Sequence, residues 1–135
     1  MKWITHILSP LLPLIIYVLP YSDLASILFI SCLAGTVFPD LMETIFHLPH
    51  RSRIFHETGL YLILLVPSII LGFSTITLFL LFALHHLFLD AMTVHGIYVF
   101  GKIINGNLNT NSVVDNAMII MIHTLLPVSF TGLFR

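Results

Sequence analysis

Five apolar runs, at residues 3–19, 24–38, 59–73, 76–100 and 113–134, take up most of this chain, and they constrain its fold more than any other feature. The runs are continuous rather than alternating. Hydrocarbon admits only helices or closed barrels, because each backbone N–H and C=O must find a partner inside the structure. A helix needs about 20 apolar residues to span a bilayer, so the second and third runs are short and require tilt or a locally thinned membrane. Composition points the same way. Hydrophobic residues make up 58% of the chain and charged residues 8%, where a soluble domain carries about 25% charge. The expected architecture is all-α, a multi-pass transmembrane helical bundle of about five helices, forming one membrane-embedded domain over residues 1–135. Its neighbours are membrane lipids, and no sheet is expected.

The breaks between runs carry recognisable chemistry. Pro20-Tyr21-Ser22-Asp23 stops the first run, and Ser22 or Asp23 can cap the second. Pro39-Asp40 is expected to end the second run, with Asp40-Leu41-Met42-Glu43 spaced like a capping box that opens a short helix. Gly72-Phe73-Ser74 reads as a tight turn, and the polar stretch 101–112 holds a turn signal at Asn105-Gly106. The first run reads as a retained span rather than a cleaved leader, since His6, Pro10 and Pro13 suit a signal core poorly. There is no internal repeat and no heptad pattern.

Charge sets the orientation. With five spans, Lys2, Arg51, Arg53 and Lys102 fall on one side and Arg135 on the other. The positive-inside rule then puts the N-terminus in the cytoplasm and the protein in the cell (inner) membrane. Five Lys and Arg against six Asp and Glu make no basic field, so nucleic acid is not an expected partner. Cys32 is alone, which excludes an intrachain disulfide and a cysteine-based zinc module.

Eight histidines stand out in so apolar a chain. On the five-span map His6, Asp40, Glu43, His47, His50, His56, His86, Asp90 and His95 gather at one membrane face. His86 and Asp90 are four residues apart, so they share a helix face, with Phe82 and Thr93 flanking them and His85 turned about 100° away. An ionised Asp inside a membrane helix costs about 2.5–3.5 kcal/mol at the bilayer centre, less near the interface. A divalent cation held by imidazoles and carboxylates offsets that cost, and such donors suit zinc, manganese or iron. Plainer roles remain open for each residue. His86 and Asp90 form a helix-gluing hydrogen-bonded pair, Asp40 caps a helix, and His6 is wetted by headgroups. His47, His50 and His95 are solvated loop residues, and His123 bonds between helices. Arg51 and Arg53 mark the cytoplasmic side, or one of them holds a phosphate.

In chain order these pieces are Thr5-His6, then Gly35-Thr36-Val37-Phe38-Pro39-Asp40, then His50-Arg51 with Phe55-His56. Last comes His86-Leu87-Phe88-Leu89-Asp90-Ala91-Met92-Thr93, followed by Gly96. This order resembles the YdjM-type family of LexA-regulated inner-membrane metal-dependent hydrolases, over most of the chain up to about residue 100. The resemblance implies metal ligands at His6, Asp40, His56, His86 and Asp90. It also implies a helical fold distantly similar to phospholipase C-like zinc enzymes. The chain departs from the family pattern at Met42, where a second Asp is usual, and at Val94, where Pro is usual. The His-Arg loop is one residue longer, with Phe55 in place of Thr.

The expected function is a membrane-bound metal-dependent hydrolase acting on a phosphate ester, such as a lipid headgroup or an isoprenoid phosphate, at the cytoplasmic face. Its cofactor is one or two divalent metal ions, zinc first, which bring the pKa of water toward ~7. Asp40, Glu43 or Asp90 accepts the proton, and Arg51 neutralises a phosphoryl oxygen. The alternative is a non-catalytic metal-binding or structural multi-pass membrane protein: a sensor, a transporter or an inactive hydrolase relative. Transport predicts polar groups along the full membrane depth, and the sequence concentrates them at one face.

Overall fold

The structure is a computed structural model that describes residues 3–18, 20 and 23–131, with side chains described up to residue 125 in the last helix. It is mostly helical. Helix α1 (Trp3–Pro13) runs into a π-helical segment (Leu14–Val18), followed by α2 (Ala25–Ile45), α3 (Thr58–Ile70) and α4 (Ser74–Ala91). Strands β1 (Ile97–Val99) and β2 (Lys102–Ile104) come next, and α5 (Val113–Thr131) closes the described chain. Two helices, α2 and α4, are long and apolar enough to cross a membrane. The apolar helices Trp3–Val18 and Thr58–Ile70 are shorter, and α5 is apolar over Val113–Leu125, the part whose side chains are described.

Four expectations need correction. The second run does not stop at Pro39. Helix α2 passes through it to Ile45 and ends at His47, whose φ of 51° is left-handed. There His47 N–H donates to the Thr44 carbonyl and Leu48 N–H to the Glu43 carbonyl, the paired bonds of a Schellman motif. Asp40 and Glu43 therefore share one buried face of a continuing helix and form no capping box. At the other end of α2 the N-cap is Leu24, without a side-chain cap, and Ser22 lies outside the described residues.

The fold is also not all-α. Helix α4 stops at Ala91, and residues 97–104 form an antiparallel hairpin with Val99 opposite Lys102. Its two-residue turn is Phe100-Gly101, at φ of 47° and 79°, the doubly positive arrangement that matches strand twist. Ile97-Tyr98-Val99 raises hydropathy as strongly as a helix would, although β-branched and aromatic residues also favour strands. Asn105-Gly106 is accordingly not the hairpin turn. Gly106 instead passes against Met92, and its N–H donates to the Thr93 carbonyl at 2.9 Å.

The turn after α3 does form as expected. Gly72, at φ 71°, closes a Schellman motif with bonds from Gly72 N–H to Ile69 and from Phe73 N–H to Ser68. Of the charges that set the orientation, Lys2 and Arg135 lie outside the described residues.

Burial runs contrary to a soluble core. Thr5, His6, Ser9, Asp40, Glu43, His56, His86, Asp90 and Asn116 are buried, while Ile30, Ile63, Val66, Ile70 and Phe73 are exposed. Only 33% of the apolar window in each of α2 and α4 is buried, where the core helix of a soluble protein is covered on most sides. Among the described residues, buried apolar side chains gather in a cluster of Tyr61, Leu80, Ala83, Leu87 and Ile97 between α3, α4 and β1, and a smaller one around Leu89 and Ile119.

Candidate metal centre

Helices α2 and α4 pack closely at Gly35. A β-carbon there would collide with the Phe79 carbonyl and lie 2.8 Å from Phe82 Cβ, so a larger residue would push the helices apart. The close contact sets the Thr36 carbonyl 2.7 Å from His86 Nδ1. That nitrogen must donate, so the lone pair of His86 lies on Nε2, directed at Asp40 and Asp90.

His56 is prepared by a side chain of the same helix. Glu43, near the end of α2, accepts at Oε1 from His56 Nδ1 at 2.6 Å and from Ser52 N–H at 2.6 Å. Its Oε2 accepts from Arg51 N–H at 2.7 Å. Both oxygens are thus engaged in folding the loop after α2 and in turning His56 Nε2 inward. The hairpin supports the same loop, with Tyr98 N–H donating to the His56 carbonyl at 3.0 Å and Gly101 N–H to Glu57 Oε2 at 3.1 Å. Glu43, expected among the proton acceptors, has both oxygens in hydrogen bonds to this loop and also lies with Asp40 and His50 in a group close enough to share an ion.

Pairwise approaches then link four side chains. His56 Nε2 is 3.5 Å from Asp40 Oδ1 and 3.4 Å from Asp90 Oδ2. His86 Nε2 is 3.7 Å from Asp40 Oδ1 and 3.4 Å from Asp90 Oδ2. His6 stacks on His86 with ring centroids 4.0 Å apart, and its Nε2 lies 3.3 Å from Asp90 Oδ1. Among the described residues, Asp40 Oδ1, His56 Nε2 and His86 Nε2 are buried and have no hydrogen-bond partner. Leaving one such group unsatisfied costs about 1–3 kcal/mol, and three converge here.

The donor set fits a metal ion. Ligand bonds of ~2.0–2.2 Å place tetrahedral ligand atoms ~3.3–3.6 Å apart, close to the spacings above and longer than hydrogen bonds. Groups drawn from His6, His86 and Asp90, and from Asp40, His56 and His86, are close enough to share an ion. Charge balance agrees. Asp40, Glu43 and Asp90 are all buried here, and of the three only Asp90 pairs with the guanidinium of Arg51, which leaves an excess of negative charge that a cation would offset. The same excess acts on His56. Burial, the largest influence, pushes its imidazole down, but the facing Asp40 and Asp90 carboxylates and the charge of Glu43 outweigh it and hold the group up at about 9.

Arg51 is not a free surface cation. Its Nη2 donates to Asp90 Oδ1 at 2.5 Å and its Nη1 to Thr93 Oγ1 at 2.7 Å, with the side chain 10% exposed. Arg53 stays at the surface, 3.6 Å from Glu57. His50 is exposed, yet its Nδ1 lies 3.5 Å from Glu43 Oε2 and 3.8 Å from Asp40 Oδ1. It lines a cavity of about 130 Å³ that reaches Asp40. His47 and His95 are exposed loop residues. His123 bonds its own helix through the Ile119 carbonyl and lies edge-on to His85. Thr36 and Thr93 do more than the sequence reading gave them, Thr36 by orienting His86 and Thr93 by holding Arg51. Their signal was position, Thr36 beside the close-packing Gly35 and Thr93 on the stripe of His86 and Asp90.

Comparison with family models, curated proteins and solved structures gives no match to this chain.

Proposed function

We propose that this chain is a multi-pass membrane hydrolase of the YdjM type that uses a divalent metal ion, zinc first, against a phosphate ester at the cytoplasmic face. One observation carries the reading. Three buried ligand atoms without hydrogen-bond partners, on Asp40, His56 and His86, converge with Asp90 at spacings suited to a shared cation. Two long apolar helices and a largely apolar exterior support the membrane setting. The shorter helices span with tilt or local thinning of the bilayer. The order of Thr5-His6, Pro39-Asp40, His50-Arg51, Phe55-His56 and His86 to Thr93 supports the family.

In this reading Asp40, His56, His86 and Asp90 hold the ion, with His6 flanking. A divalent ion supplies Lewis-acid activation of water and of a phosphoryl oxygen. The chain's own residues do the rest. Glu43 and the Thr36 carbonyl fix the tautomers of His56 and His86, as outer partners of metal-binding histidines generally do. Arg51 steadies Asp90. Asp40 lines the cavity of about 130 Å³ and accepts a proton from entering water, which His50 beside it passes to solvent. Acyl or isoprenyl chains stay in the bilayer while the headgroup reaches the site from the side.

The test is phosphate or headgroup release from a lipid panel by protein in mild detergent. Release that stops with chelator, returns with zinc and disappears in Asp40→Asn is expected. Release indifferent to chelator and to that substitution would remove the hydrolase reading.

A further inference from the structure

Beside the cluster, a cavity of about 270 Å³ lies between the loop after α2 and the β1–β2 hairpin. His50, Arg51, His95, Tyr98 and Ile103 line it, and no carboxylate does. Its inner wall is unusual in three ways. Arg51 sits at φ 60°, a left-handed conformation that costs a non-glycine residue about 1–3 kcal/mol. Glu43 enforces it by taking the N–H groups of Arg51 and Ser52. The Arg51 side chain is nine-tenths buried, and its Nε is buried without a hydrogen-bond partner among the described residues. Asp90 and Thr93 occupy two of its five donors.

A strained backbone therefore holds a cation, with two of its donors taken by Asp90 and Thr93, in the wall of a pocket whose other polar walls are two exposed imidazoles and a phenol. Oxyanions are the ligands that suit such a set, since guanidinium and imidazole donate charge-assisted hydrogen bonds to phosphate oxygens. Size narrows the choice. The cavity lies just below the ~300–1,000 Å³ of pockets that take drug-sized ligands, so it suits a phosphoryl group with a small substituent rather than a lipid chain. Arg51 bonds Asp90, which in turn faces the cluster, so an anion here sits next to the metal centre and not in it.

We propose that this cavity is a second anion subsite, holding a phosphate group of the substrate other than the one presented to the cation cluster. The substrate class is then a diphosphate ester or a headgroup with two phosphates. The catalytic consequence rests on the hydrolase reading above, whereas anion binding in the cavity does not.

The experiment titrates inorganic diphosphate into the full chain in detergent, zinc-loaded and chelator-treated, with zinc content measured separately. Two variants are chosen at exposed positions outside the cluster. His95→Ala removes a donor, and Ile103→Glu places a carboxylate at the mouth. Diphosphate binding that persists after chelation and weakens by about tenfold or more in each variant, with zinc content unchanged, is expected. Binding that disappears with the metal and ignores both variants, or no binding in either state, overturns the subsite. Cavity binding in a chain that takes up no zinc would keep the subsite and reject the hydrolase reading. Displacement of the diphosphate by glycerol phosphate assigns a soluble source, and displacement by bicelles containing phosphatidate assigns a lipid headgroup.

Discussion

His85 and His86 are neighbours on α4 and lead different lives. His86 is buried against α2, with Nδ1 tied to a backbone carbonyl and Nε2 facing two carboxylates. His85 turns to the opposite side. There its Nε2 lies 3.2 Å from Ser9 Oγ and its ring meets His123 edge-on, in an apolar cavity of about 420 Å³ with no acid in its lining. The same side chain one residue apart is thus a ligand candidate in one place and packing polarity in the other. The carboxylates make the difference. An imidazole needs anionic neighbours before a cation is worth holding, and only the side reached by Asp40 and Asp90 supplies them.

The contrast can be broken from its strong side first. Asp90→Ala removes a cluster atom and also leaves Arg51 buried without its anion. Metal retention should fall to background, and stability should drop by about 3–5 kcal/mol, read by thermal or denaturant melting in detergent. Gly35→Leu tests the geometry without altering any candidate ligand or its hydrogen-bond partners. By forcing α2 from α4 it should detach His86 from Thr36 and lose most of the bound metal, measured by elemental analysis. Glu43→Gln keeps the shape but weakens the hold on His56. Metal affinity should fall about 10–100-fold while the ion still binds at high concentration, a shift that competition with a chelating dye would show. On the weak side, His85→Ala should leave metal content intact and cost about 1 kcal/mol of stability.

The sequence made the cluster legible because its background is so apolar. In a chain with few charges, Asp40, His56, His86 and Asp90 could not be dismissed as solvated surface, and the five-run map already put them at one end. What it hid follows from ambiguities of spacing and hydropathy. Asp40 and Glu43 are three apart, which describes equally a capping box and one face of a continuing helix. Tertiary packing decided for the helix and left Glu43 to fold the next loop. Ile97-Tyr98-Val99 scores as membrane helix by hydropathy alone, so the first strand disappeared into the fourth run and the second into the polar stretch after it. The link from Arg51 to Asp90 depends on a left-handed residue in a loop, and no local pattern announces a non-glycine at positive φ. The mostly helical fold was readable, whereas the element that supports the site from below was not.

The most direct test of a cation shared by Asp40, His56, His86 and Asp90 compares the two neighbouring histidines in one assay. Protein is purified without added chelator, exposed to zinc, desalted and analysed for metal as wild type, His85→Ala and His86→Ala. The account predicts about one ion per chain in wild type and in His85→Ala, and its loss in His86→Ala. Equal metal in all three, whether a full equivalent or a trace, would contradict it.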